Sequence, residues 1–514
     1  MEKHLREATV FKGTSKTIQN ELLNIMFDVC RDLIKEEVKR ADFIAVMSDD
    51  TTDISNTSQN VIVFRYLVDN KVVERFWSFG ELPTANSETI SERILMCLSE
   101  VLPTHGSKPI LIAQCYDGAS VMRGQHRGVQ TVVKQIYTNA HYVHCYAHQL
   151  NIVLEQATGK IPEMRIFFAN LSGISVFFSR SPKRTEYLDK AVARRIPRAS
   201  GTRWNFSSRI LHTVLSHIDD LSQCFRDIIE SWNGDNSTIR EACGLLRLLE
   251  DGDFVLNLTF LSSIFYHVDI LYAQLQKRDV DASSITQKME LFAKSVQEER
   301  CRLPDVIATI HEKYGDPTTR TFGREGTQQR QSRVLSEVCD IIVTQCQERF
   351  GYTGHLEAAS LLDSSLFVKF RTDSTFLSST VASIVKYYPF LDSSSLTSEL
   401  KVIYNRQEFG KCSGALSLLQ VLVENNLGEI FSETLKLCKI VITIPMASVE
   451  SERCFSTLKR IKNFLRNTMG EERLNSLAML SMEKKLVRDS DTFNKNVIDR
   501  FARQKERRAN FNYR

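Results

Sequence analysis

Apolar positions recur at helical steps through residues 17–39, where Ile18, Leu22, Met26, Val29 and Ile34 predict one amphipathic helix. The period then changes. Residues 43–48 form a short continuous apolar run, the pattern of a central strand buried on both faces. Residues 60–68 and 72–79 flank Asp69-Asn70-Lys71, which reads as a tight hairpin turn. These three strands predict an antiparallel meander. Ser87 is placed to cap a helix with Ile90, Ile94, Leu95 and Leu98 on its apolar side and Glu92 near its start; Pro103 and Gly106 end it. Residues 110–115 read as a second buried strand. A strand–helix–strand connection normally crosses to a parallel neighbour, so this fourth strand is expected beside the first. A short fifth strand is expected near residues 141–143.

From residue 207 to about residue 388, strand signals fade and helical spacing takes over, as in Phe260, Ile264, Phe265, Val268, Leu271 and Leu275. Residues 315–333 contain one large apolar side chain in nineteen and predict an exposed loop. The chain is helical again from residue 413, and Pro445 marks the start of a further long helix. The expected divisions are an N-terminal helical segment (1–40), the first part of an α/β domain (41–206), an all-α insertion (207–400), a C-terminal region (401–486) and a basic tail (487–514).

With 514 residues, 42 % hydrophobic and 25 % charged, the chain has enough apolar surface to build several packed cores. The net charge of +4 does not by itself point to nucleic acid. From residue 455 onward, however, there are 15 Lys and Arg against 7 Asp and Glu, which suits an anionic partner or a solvated tail. Twelve cysteines without a C-x-x-C pair read as reduced thiols of the cytosol or nucleus. No run of 18 apolar residues is present, so no membrane association is expected.

Four stretches could carry chemistry. Asp49, in MSDDTTD, ends the first strand, and Asp117, in CYDG, follows the fourth. If those strands are parallel neighbours, two carboxylates meet at the sheet edge where open sheets bind ligands. They repel unless a cation joins them, and Mg²⁺ prefers carboxylates and water. Asp50 and Asp53 compete for the first position, and Asp after a strand is also a common turn residue. In HYVHCYAHQLN, His141, His144, Cys145 and His148 would share one face of a helix, either as zinc ligands or as a packed junction. Arg203-Trp204 joins a cation to a flat aromatic, fit to stack on an unpaired base or to serve as a buried pair. Finally, Glu450 and Glu452 lie two residues apart on an expected helix, so only one can face a given site.

Taken together, TIQNELLNIM with ADFIAVMSDDTTDISNTSQ, CYDGASVMRG, HCYAHQLN, GTRW, and IPMASVESERCFS with NTMGEERLNSLAML resemble the hAT superfamily of transposases and the host proteins derived from them, over residues 18–486. The resemblance implies an α/β fold with a ribonuclease H-like mixed sheet, interrupted by a large all-α insertion, and a helical C-terminal dimerisation segment. It implies a DDE-type site using Mg²⁺ or Mn²⁺ to cleave DNA, with Asp49, Asp117 and Glu452 as catalytic and metal-binding carboxylates. It also carries Arg203, Trp204, Cys145 and His148 over as DNA-binding positions, and implies a homodimer or higher homo-oligomer in the nucleus. Members of this family usually begin with a BED-type zinc finger, and the Cys/His spacing for one is not found in this sequence. Two readings follow: a metal-dependent transposase, or a catalytically silent domesticated descendant acting as a dimeric nucleic-acid- or chromatin-binding regulator.

Overall fold

A computed structural model describes residues 15–102, 109–192, 196–197, 204–314, 327–352 and 354–505. The chain folds as two compact units. The first comprises residues 1–146, 276–285 and 352–514, and the second residues 147–275 and 286–351.

The first unit is built on one five-stranded sheet with the order β3-β2-β1-β4-β5. The strands are β1 (Phe43–Thr52), β2 (Ser58–Val68), β3 (Lys71–Glu81), β4 (Ile110–Tyr116) and β5 (His141–His144). β1 pairs antiparallel with β2, and β2 with β3, while β4 lies parallel to both β1 and β5. The continuous apolar run in β1 is buried from Phe43 to Ser48 and emerges only as it reaches Asp49. β2 is buried along nearly its whole length, as a strand with neighbours on both sides and cover on both faces should be. Asp69 and Asn70 take φ values of 50° and 59°, which gives the primed turn that matches strand twist and that these residue types tolerate.

Helix α1 (Lys16–Arg40) is present as expected, but its buried stripe is Ile25, Val29, Cys30, Ile34 and Val38. Ile18, Leu22 and Met26 are not in it: burial begins at Ile25, in the third turn, and follows the side of the helix that meets β2 and two C-terminal helices. Helix α2 (Ser87–Ser99) is capped by Asn86, whose side chain accepts from the Thr89 amide at 2.9 Å; Ser87, the expected cap, is its first helical residue. His141 and His144 lie on β5, and His148 on the helix Tyr146–Gly159, so the shared helical face expected for HYVHCYAHQLN is not formed. A strand ends where that face would have begun.

The second unit is helical throughout its described residues. It begins at residue 147 rather than 207, and the chain is back in the first unit from residue 352 rather than 401. Its helix Gly252–Leu275 has the length and apolar character of a membrane span, but is buried along most of its length as the core of this unit. Of the expected loop 315–333, residues 327–333 are helical, the start of Thr327–Arg349; residues 315–326 lie outside the described residues. Arg330 of that helix donates to Glu163 at 2.8 Å, which explains why so polar a turn is nonetheless ordered.

The C-terminal part of the first unit supplies α3 (Ser432–Thr443), α4 (Val449–Ile461), α5 (Glu471–Met482) and α6 (Phe493–Arg503). Residues 493–503 are not a loose basic tail. Phe493, Val497 and Phe501 form a stripe at four-residue spacing buried against α1, and Arg500 pairs with Asp32.

One side chain gathers distant segments of this unit. Arg65 on β2, 3 % exposed, donates to Glu74 at 2.7 Å and to the carbonyls of Arg278 (2.7 Å), Val280 (3.2 Å) and Ile442 (2.8 Å). It thereby ties the ten-residue return 276–285 and α3 to the sheet. Replacing Arg65 with Met would leave Glu74 and three carbonyls without that donor in a dry interior. A loss of about 3–5 kcal/mol is expected in urea unfolding. A loss under about 1 kcal/mol would mean that the segments are held by apolar packing alone.

Candidate functional site: an acidic edge of the sheet

The parallel register of β1 and β4 decides where the acidic residues fall. Met47 is paired with Cys115. Asp49 stands two residues beyond that pair on β1 and Asp117 directly follows the last residue of β4, so both lie at the carboxyl ends of neighbouring parallel strands, about 4.8 Å apart. Asp49 accepts a hydrogen bond from the Asp50 amide at 2.9 Å. Asp117 turns its carboxylate onto the Ala119 amide at 3.1 Å, while its carbonyl accepts from the Tyr142 hydroxyl at 2.7 Å. Gly118 is closely covered: a Cβ there would lie 2.3 Å from the His144 imidazole, so the ring would have to shift.

The competitors for the first position are otherwise engaged. Asp50 points to the opposite face of β1, where Asn60 donates to it at 2.6 Å. Asp53 accepts from the Ser55 and Thr57 amides at 2.7 and 3.1 Å and pairs with Lys462 at 2.5 Å.

Three hydrogen bonds bring the C-terminal helix to this edge. The Cys145 amide donates to the Tyr116 carbonyl at 2.9 Å, extending the end of β4. The Cys145 thiol accepts from the Ser448 amide at 3.3 Å, and the Tyr146 amide donates to the Met446 carbonyl at 2.8 Å. The segment Met446–Ser448, which leads into α4, is thus fixed to the strand ends, and Glu452 follows one helical turn later. Cys145 is 4 % exposed and serves as an internal joint. This role is not legible in the sequence, because the partner of Cys145 is a backbone amide 303 residues away.

Glu450 and Glu452 separate as their spacing requires. Glu450 is 3 % exposed and accepts from Arg278 at 2.7 Å and Arg453 at 2.6 Å. Glu452 is half-buried and near enough to act on Asp49. Burial raises the Asp49 carboxyl to about 8, and the negative charges of Asp117, Asp50 and Glu452 add to that rise against the pull of the Asp50 amide. Asp50 is also raised, first by burial and then by Asp117, with Asn60 opposing.

The donor set suits a hard divalent cation in kind, since all three groups are carboxylates. It is not a closed cage: among the described residues no three His, Cys, Asp or Glu side chains converge as metal ligands. That applies equally to the zinc reading of His141, His144, Cys145 and His148. His141 instead stacks on His355 at 5.0 Å between ring centroids, and its Nε2 hydrogen-bonds with the Tyr387 carbonyl at 3.0 Å. His148 lies in the first turn of Tyr146–Gly159, in the second unit. Arg203 lies outside the described residues. Trp204 begins the helix Trp204–Ser216, but its side chain is also outside them.

The raised carboxyl has a pH consequence. In the unfolded chain Asp49 ionises near 3.8, whereas in the folded chain it keeps its proton to about 8. The folded state therefore holds the extra proton, and its contribution to stability is complete below pH 4 and lost as pH rises toward 8. In metal-free buffer Asp49→Asn should be more stable than the parent chain at pH 8, by up to about 5 kcal/mol, and nearly equal to it at pH 4. Equal melting at both pH values would show that Asp49 is already ionised at neutral pH.

Residues 4–128 match the ZMYM1/FAM200 RNase-like domain, and residues 415–486 match the hAT family C-terminal dimerisation region. The chain is 21 % identical over 538 aligned positions to the "52 kDa repressor of the inhibitor of the protein kinase" of Mus musculus, an alignment covering 96 % of this chain and 69 % of that protein. It is 21 % identical over 523 positions to the protein of the same name from Homo sapiens, covering 93 % of this chain and 66 % of that one. The chain thus spans about two thirds of the length of these relatives. It carries a hAT-type dimerisation region, which includes α3, α4 and α5, and an RNase-like domain that includes β1–β4.

Proposed function

We propose that this chain, with its hAT dimerisation region, is a transposase-derived nuclear protein that self-associates, binds DNA and keeps a divalent-metal site for DNA cleavage at the edge of its sheet. The strand order 3-2-1-4-5, antiparallel on one side of β1 and parallel on the other, supports reading the sheet as ribonuclease H-like. The second unit then stands as the helical insertion before the last helix of that fold, α4. The observation that carries the proposal is the shared field at Asp49. The charges of Asp117 and Glu452 act on the Asp49 carboxyl although the three residues belong to three remote segments.

In this reading Asp49 and Asp117 hold fixed positions on adjacent strands, and Glu452 closes on them from α4, oriented by the Cys145–Ser448 joint. A bound Mg²⁺ or Mn²⁺ would neutralise the cluster and supply an activated water for phosphodiester cleavage. Arg203 and Trp204 are proposed as DNA contacts, the Trp by stacking on an unpaired base.

A second reading, a catalytically silent dimeric regulator of transcription or chromatin, is favoured by two findings. The two relatives bear the name of a repressor, and the three carboxylates stand open rather than closed on a point.

Nicking of supercoiled DNA in Mg²⁺ or Mn²⁺ separates the two. The first reading expects cleavage by the parent chain and at least about a hundredfold less by Asp117→Asn, since a metal-bridging carboxylate is lost. DNA binding and self-association without cleavage in either metal would replace it with the second.

A further inference from the structure

The chain passes from α4 to α5 through a turn, Phe464–Arg466, that leaves Phe464 80 % and Leu465 87 % exposed. These are the two most exposed large apolar side chains among the described residues, and they are adjacent. The turn is not loosely held. Lys462, just before it, is buried in an ion pair with Asp53 at 2.5 Å. The Asn463 side chain accepts from the Leu465 amide at 3.1 Å, and the Ser55 hydroxyl donates to the Asn467 carbonyl at 2.9 Å. The tip is therefore pinned from both sides to the β1–β2 turn. That turn presents a third apolar side chain, Ile54, 58 % exposed between the two residues that make the pins.

A rigid, solvent-facing apolar tip loses little conformational freedom when it is covered, which is the property of an interface anchor. It lies within residues 415–486, the stretch that matches a dimerisation region. Its charged surroundings also suit a partner identical to itself. Lys459 and Arg460 lead into the tip, and Glu471 and Glu472 lead out of it. A two-fold contact runs one copy against the reversed path of the other, so it sets the basic side of each against the acidic side of its mate.

We infer that a second copy of this chain docks on a composite surface made of Phe464, Leu465 and Ile54. This rests on the self-association proposed above and extends it. The contact reaches beyond the dimerisation region onto the turn that follows Asp49 and Asp50, so assembly braces the loop next to the acidic edge.

Sedimentation equilibrium of the full chain tests this. The parent is expected to be a dimer. A Phe464→Ser/Leu465→Ser double variant, and Ile54→Ser separately, should each raise the dissociation constant at least about tenfold, the effect of losing a buried apolar anchor. Met96→Ser, which removes another exposed apolar side chain (52 %) on α2, should leave it unchanged. Unchanged melting of each variant establishes that the fold is intact. A dimeric parent whose double variant dimerises equally well overturns the inference while leaving self-association standing. A dimer weakened by the double variant but not by Ile54→Ser overturns the composite surface. Variants that stay dimeric but lose affinity for DNA overturn it in favour of a DNA-facing tip. A monomeric parent defeats the self-association reading itself.

Discussion

The parallel pairing of β1 with β4 is the constraint on which the rest of the site depends. Parallel neighbours end at the same edge of a sheet, and the Met47–Cys115 register makes Asp49 and Asp117 equivalent positions on that edge. A one-residue slip would send one of them to the opposite face and destroy the pair. The pairing also fixes where Tyr116 ends, hence where Cys145 bonds to it, and hence where the segment before α4 is attached. A helix more than 300 residues away in sequence is positioned by a short chain of hydrogen bonds, through backbone groups and the Cys145 thiol, that begins at this register.

The electrostatics are a consequence of that geometry. Burial at this edge raises the proton affinity of the Asp49 carboxyl, and the neighbouring charges of Asp117, Asp50 and Glu452 raise it further. The neighbouring charges are arranged differently. Glu450 and Glu74 are equally dry, but Arg278, Arg453 and Arg65 lie against them, so they build the scaffold. The same helix thus carries one glutamate that holds it in place and a second, Glu452, whose charge reaches Asp49.

Much of this was legible in the sequence, for physical reasons that differ by element. β1 and β4 announce themselves because a strand buried on both faces must be apolar at every position, and the Asp69-Asn70 turn because few residues accept two successive positive φ values. Their acidic ends were therefore legible too. The stripe on α1 was misplaced because period alone does not say which turn of a helix is seated. The start of the second unit was placed 60 residues late, since helices of either unit have the same spacing. Helical spacing alone does not choose between Glu450 and Glu452, and the engagement of Glu450 by Arg278, 172 residues away, arises only in the folded chain. The packing of residues 493–503 was hidden beneath their basic charge.

The central claim is that residues 49, 117 and 452 form one site. Following the Asp49 carboxyl by ¹³C NMR through a pH titration, in the parent chain, Glu452→Gln and Glu450→Gln, tests it most directly. The account predicts a midpoint near 8 in the parent that falls when Glu452 is neutralised. Neutralising Glu450, whose charge is taken up by two arginines, should move it little. A midpoint that ignores Glu452, or follows Glu450 instead, would contradict the account.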